Sequence, residues 1–199
     1  MKESHIEHAY DVDIESFDYA FACEDMERLL DKLHGVERRE VLEWTDDGKG
    51  FHRVFRYHVT RSFARILEKV VGSDLSSLTQ TMDYDRQEHR GAYFMESPVL
   101  GRRFTYRSDF SIEPLGPARC VRKSRITIEL RVPLVGSRVE KQILHDVQSR
   151  EKAEWEAYDR FLRRTWPQIK DRAIALWPKG AALDEAGRPV DNETDERLR

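Results

Sequence analysis

Between residues 102 and 132 the chain alternates apolar and polar side chains with a period of two, and from residue 139 onward its apolar side chains recur every three or four positions. Together these two periods demand a sheet with one apolar face and a long amphipathic helix to cover it. In the first run Phe104, Tyr106, Phe110 and Ile112 oppose Arg103, Thr105, Arg107, Asp109 and Ser111. In the second, Ile126, Ile128, Leu130 and Val132 oppose Lys123, Arg125, Thr127, Glu129 and Arg131, with Pro114-Leu115-Gly116-Pro117 as the turn between them. Pro133-Leu134-Val135-Gly136 ends the sheet. The helix that follows to about Leu176 carries Val139, Ile143, Val147, Trp155, Tyr158, Leu162, Trp166, Ile169, Ala173 and Trp177 as its stripe, and Pro167 is expected to kink or restart it.

The remaining elements follow from the same two periods. Ser4 to Asp11 alternates as a strand, with Ile6, His8 and Tyr10 on one side. Asp13 is placed to cap a short helix over Ile14 to Phe21, and a second helix runs from about Glu24 to Leu33, closed by Gly35. Val36, Leu42 and Trp44 recur with period two on a strand, and Asp47-Gly48 turns it into a return strand, Phe51 to Thr60. Ser62 to Gly72 reads as an irregular crossing. Strands are expected at about Leu75 to Arg86 and Gly91 to Ser97 as well. The fold class is therefore α+β, with about seven antiparallel strands. One domain spans residues 4 to 177, and 178 to 199 have the composition of a disordered tail.

Composition narrows the function classes. The 199 residues carry a formal net charge of −3, which argues against a dedicated nucleic-acid binder. No apolar run approaches a membrane span, and Met1-Lys2-Glu3-Ser4-His5 has no signal-peptide character, so a cytoplasmic protein is expected. Cys23 and Cys120 form no CxxC pair, and no HExxH, GxSxG, Walker or GxGxxG pattern occurs, so no metal or other cofactor is implied.

The order of elements is that of the helix-grip fold. Three stretches, Val41-Leu42-Glu43-Trp44, Gly72-Ser73-Asp74-Leu75 to Gln80-Thr81, and Val132-Pro133-Leu134-Val135-Gly136-Ser137-Arg138-Val139-Glu140-Lys141, resemble an uncharacterised bacterial branch of the START-like (SRPBCC-type) superfamily over roughly residues 4 to 165. The resemblance implies a curved sheet gripping the long helix, with a cavity between them that in related proteins holds lipids, sterols, polyketides or other apolar molecules. The superfamily also contains enzymes, and fold does not fix function.

On that reading the cavity wall includes Phe51, Phe55, Tyr57, Phe104, Tyr106, Phe110, Ile126, Ile128 and Leu130, faced by Ile143, Val147, Trp155 and Tyr158. The same residues serve a filled core equally well. Polar residues at inward parity are more informative: Arg53, Ser108, Arg122 and Ser124 in the strands and Glu151 in the helix stripe. A buried charge must be paired or solvated, so Glu151 with Arg53 or Arg122 can orient a ligand's carboxylate or hydroxyl. The blander account, and the preferred one, is a bulge that flips the parity or long side chains that reach the rim.

Two further groups have a functional and a plain reading. His5, His8, His52 and His58 would lie together if the first strand paired with the Phe51 strand, although isolated surface histidines are the simpler account. Nine basic residues against three acids between Val99 and Arg138 give a local charge of about +6. Arg103, Arg107, Lys123, Arg125 and Arg131 share one face and can meet an anionic membrane surface, or else form a solvated face neutralised by acids elsewhere. The leading expectation is a non-catalytic binder or carrier of an apolar small molecule or lipid. The alternative is a cyclase, dehydratase or hydrolase acting through cavity His, Glu or Tyr side chains.

Overall fold

A computed structural model describes residues 1–23, 26, 29–30, 36–59, 77–131 and 136–176. Its strands are β1 (Lys2–Tyr10), β2 (Val36–Asp46), β3 (Gly50–Val59), β4 (Ser77–Asp85), β5 (Arg90–Glu96), β6 (Phe104–Gly116) and β7 (Arg119–Leu130). Its main helices are α1 (Ile14–Ala22), α2 (Gly136–Arg164) and α3 (Trp166–Leu176). The second short helix falls largely outside the described residues, though Met26, Leu29 and Leu30 are helical. The crossing at 62–72 and the tail at 178–199 lie outside them altogether.

All seven strands form one antiparallel sheet in the order β1-β7-β6-β5-β4-β3-β2. β2 to β7 are a simple meander, whereas β1 joins the far side of β7, so the segment after β1 has to cross the inner face to reach β2. The Asp47-Gly48 hairpin forms as expected: Gly48 takes φ 82°, and the Asp47 amide donates to Gly50 O at 3.2 Å. One expectation shifts by a few residues. β6 continues through Pro114, Leu115 and Gly116, so the turn falls on Pro117-Ala118, with a register irregularity between Pro114 and Gly116. In β2 the expected pairing with β3 carries another irregularity between Val41 and Glu43, where Val41 and Leu42 are both exposed.

Helix α1 starts where the sequence predicts, because Asp13 accepts the Ser16 amide at 2.7 Å and the Ser16 hydroxyl at 2.9 Å. Its C-terminal carbonyls are met from the sheet. Arg53 Nη2 donates to Ala22 O at 2.9 Å, while the guanidinium lies 3.7 Å from the Trp44 ring and 4.1 Å from Phe51. Asp18 secures the same helix to the β4–β5 turn, accepting from the Tyr84 hydroxyl and lying 2.8 Å from His89 Nδ1. The long helix breaks at Thr165, and α3 restarts with Pro167 as its second residue, where a missing amide hydrogen does little harm.

Two apolar clusters divide the space under α2. Toward its start, Val139 and Ile143 pack on Phe104, Tyr106, Ile126, Ile128 and Leu130. Toward its end, Tyr158, Phe161 and Leu162, together with Trp166 of α3, pack with Phe17 and Phe21 of α1 and with Tyr10, Tyr84 and Phe110. Glu140, which the periodicity does not single out, is buried and accepts the Leu130 amide at 2.8 Å, tying the first turns of α2 to the end of β7.

The second cluster has no room to spare at Gly91. A methyl group added there would stand 2.4 Å from Phe110 Cζ and 2.6 Å from the Asp83 carbonyl oxygen. Gly91→Ala is therefore expected to lower stability by about 1 to 3 kcal/mol, read as a lower urea midpoint with an unchanged m value.

Candidate functional site

The inward parity of the polar residues holds. Arg53, Ser108, Arg122, Ser124 and Glu151 are all buried, and the register irregularities lie in β2 and at Pro114–Gly116, so no bulge flips β3 or the inward part of β7. The preferred expectation of flipped or rim-seeking side chains is thereby corrected. Arg53 donates to the end of α1, from Nη1 to Phe21 O at 3.5 Å and from Nη2 to Ala22 O at 2.9 Å. Arg122 is the partner of the helix: Nη1 donates to Glu154 Oε1 at 3.3 Å, and Nη2 stands 3.9 Å from Glu151 Oε2. Its guanidinium also lies 4.8 Å from the Phe110 ring centre and 5.6 Å from that of Tyr93.

This charge cluster is only partly satisfied. Arg122 Nε and Nη2, Glu151 Oε2, the Tyr10 hydroxyl and Ser108 Oγ are buried without a hydrogen-bond partner among the described residues. Burial pushes the Glu151 carboxyl up to about 7 against the pull of Arg122, with Glu154 adding to the rise. His8 stacks on Trp155 with ring centres 5.4 Å apart, and burial together with Arg122 lowers its pKa.

A cavity of about 60 Å³ lies between strands β2 to β6 and the middle of α2, open on one side. Of the residues expected in its wall, Phe55, Tyr57, Tyr106, Val147, Glu151 and Tyr158 line it. Phe104, Ile126, Ile128, Leu130 and Ile143 are packed in the first apolar cluster, and Phe51 and Phe110 in the second. Arg53 and Arg122 lie behind the wall, and Trp155 turns to His8 while donating Nε1 to Ala9 O at 3.2 Å. The wall also holds residues not anticipated: Arg39, Gln80, Met82, Tyr93, Met95, Arg150 and Glu154. Gln80 stood at inward parity between Leu78 and Met82, and its Oε1 accepts the Tyr57 hydroxyl at 2.6 Å. Arg150 and Arg39 stack over the wall's own rings, Arg150 at 5.0 Å from Tyr57 and Arg39 at 4.4 Å from Phe55. The sheet side of the cavity is thus mainly aromatic and thioether, with Arg39 and Gln80 among it, and the helix side sets Arg150, Glu151 and Glu154 between Val147 and Tyr158.

The histidines do not converge. Four strands separate β1, with His5 and His8, from β3, with His52 and His58. His52 Nδ1 sits 2.6 Å from Asp83 on the outer face, and His58 Nε2 is 3.4 Å from Glu40. On the same outer face the basic residues meet acids: Arg107 with Asp109, Lys123 with Glu113, Arg125 with Glu3 and Arg131 with Glu129. Arg103 is bound to the Leu100 and Val99 carbonyls. Among the described residues no group of three or more His, Cys, Asp or Glu side chains is placed to hold a metal ion.

The same architecture occurs in solved structures of low sequence identity. A protein from Thermus thermophilus superposes with a TM-score of 0.54 at 17% identity, covering 89% of this chain and 100% of its own. The Zhui aromatase/cyclase from a Streptomyces species gives 0.54 at 16%, covering 82% and 95%. Norcoclaurine synthase from Thalictrum flavum gives 0.57 at 15%, covering 82% and 87%. These likenesses show the helix-grip fold, in agreement with the expectation from the sequence. No curated protein matches the chain. A family profile described as "Protein of unknown function (DUF2505)" matches residues 5–162, and with most of its length so covered the chain belongs to the DUF2505 family.

Proposed function

We propose that the protein binds a small, mainly apolar molecule in the cavity between the sheet and α2, with the molecule's polar group turned to the helix side. The observation that supports this most is the division of the wall. Phe55, Tyr57, Met82, Tyr93, Met95 and Tyr106 offer apolar area, while Arg150, Glu151 and Glu154 bring charge from the helix and Arg39 adds one charge from the strands.

The cavity's size selects among ligands. About 60 Å³ is far below the roughly 300 Å³ at which ordinary ligand pockets begin, and below the roughly 150 Å³ of a cavity that takes benzene, so the reading favours a molecule of a few heavy atoms over a lipid or sterol. Anionic membrane contact through Arg107, Lys123, Arg125 and Arg131 is disfavoured, because each already has a carboxylate beside it. Among the described residues no helix is long and apolar enough to cross a membrane.

Three outcomes check the reading. Fragments of a few heavy atoms should perturb the NMR signals of the Met82 and Met95 methyl groups, and Met95→Trp, which fills the space, should abolish the Met82 shift while leaving the protein folded. If Met95→Trp binds the fragments as well as wild type, the cavity is not the site.

The charge cluster sets the second outcome. Glu151 keeps its proton to about pH 7 in the native state but releases it in the ordinary glutamate range when unfolded, so the folded protein holds more protons between those values. Its stabilising share is complete below the unfolded value and is lost as pH rises through 7. Burial raises Asp18 as well, with the same sign. Unfolding free energy should therefore fall by on the order of 1 to 3 kcal/mol between pH 5 and 8. Glu151→Gln should flatten the part of that slope that lies between the ordinary glutamate range and about 7 in urea titrations.

Third, Arg122→Met should cost about 3 kcal/mol at pH 8, where the buried carboxylates lose their counter-charge. The loss should shrink at pH 5, where Glu151 takes up a proton. A pH-independent loss would mean that Arg122 acts through packing alone.

A further inference from the structure

We propose that the cavity takes a short-chain carboxylate of two or three carbons, with the carboxylate on Arg150 and the alkyl end on Met82 and Met95; this rests on the binding reading above. The observation that points to it is how the charges around the cavity are shared out. Both carboxylates of the helix side are drawn to Arg122, Glu154 at 3.3 Å and Glu151 at 3.9 Å. Arg150 lines the same cavity, and among the described residues it forms no ion pair; its guanidinium lies 5.0 Å from the ring centre of Tyr57. A guanidinium with no carboxylate beside it still has its donors in one plane, the geometry that a single carboxylate group matches.

Size and polarity set the rest of the ligand. About 60 Å³ is the space of on the order of four or five water molecules, which matches the heavy atoms of acetate or propionate. From the strands come Met82 and Met95, whose flexible thioethers adapt to a methyl or ethyl group. Arg39 of β2 lines the cavity as well and adds a second positive charge. A small cation has no comparable place, because Arg122 already stands against both carboxylates. A neutral molecule would leave Arg150 partly desolvated by the wall and without a counter-charge.

Glu151 also lines the cavity, and its charge sets how strongly an anion is held. It is faced by Arg122 from β7, Tyr106 from β6, Tyr10 from β1, and Arg150 and Glu154 from its own helix. Below about pH 7 burial keeps it protonated, so an incoming carboxylate meets one negative charge fewer in the wall. Above that value Glu151 is ionised and repels it. By reciprocity, the bound anion favours proton uptake by Glu151 near neutral pH.

The test titrates sodium propionate, with propanamide as its neutral counterpart, into protein carrying methyl-labelled methionine at constant ionic strength, and follows the Met82 and Met95 signals by NMR. Propionate should saturate one site at least about 10-fold more tightly than propanamide at pH 6, because its hydrogen bonds are charge-assisted on both sides. In the wild type its affinity should fall several-fold from pH 6 to pH 8. Glu151→Gln should remove that fall and bind propionate at pH 8 more tightly than the wild type does, a gain that a damaged fold cannot produce. Arg150→Gln should lose the preference for propionate, and Arg150→Lys, which keeps the charge, should retain part of it. Equal binding of propionate and propanamide, or an unchanged preference in Arg150→Gln, overturns the carboxylate inference and leaves the binding reading standing. Failure of both compounds and of the other small fragments to shift Met82 and Met95 overturns both.

Discussion

Arg122 holds a full positive charge in the middle of the inner sheet face, and much of the architecture answers to it. A guanidinium does not lose its proton in a protein interior, so burying it requires acceptors or counter-charges and aromatic faces around it. α2 brings Glu151 and Glu154, one turn apart, and β5 and β6 bring Tyr93 and Phe110. That requirement fixes the rotation of α2 about its own axis. Val139, Ile143 and Val147 follow one another at four-residue steps, and the next step is Glu151. The apolar stripe is interrupted where the charge lies beneath it, and the cavity occupies the interruption.

The two apolar clusters explain why the cavity is there and why it is small. Each end of α2 is clamped to the sheet by close-packed rings and branched chains, so the helix bridges the middle. Long side chains bridge the gap from both sides, Arg150 over Tyr57 and Arg39 over Phe55. What is left is about 60 Å³.

Much of the fold was legible because both periods are strong. The alternation from Phe104 to Leu130 and the stripe from Val139 to Trp166 name the sheet face and the helix face directly, and Asp13, Asp47-Gly48 and Pro167 mark boundaries by local chemistry. The turn was misplaced where a strand runs through residues typical of turns, at Pro114 to Gly116. The site was legible in part. Parity placed Arg122 and Glu151 inside, but it does not say which arginine meets the helix. That depends on strand order, and β7 rather than β3 lies under α2. The same order separates the histidines of β1 and β3. Arg39, Arg150 and Glu154 escaped notice because a charged residue at the margin of a stripe looks like any solvated one until sheet curvature brings it over a ring.

The pairing of β1 with β7 reaches beyond the native structure. Lys2 lies opposite Ile128 and Tyr10 opposite Cys120, so the first strand's only partner in the sheet is the last strand to be made. On a ribosome adding about 5 to 20 residues per second, β1 waits several seconds for it, with the backbone groups of a nine-residue strand unpaired. Closing that loop is the largest entropic step in assembling the sheet, and it follows a meander that forms by short hairpin turns. Glu3, Glu7 and His5 on the strand's outer side put charge and polarity on the waiting edge, a common protection against pairing with another chain.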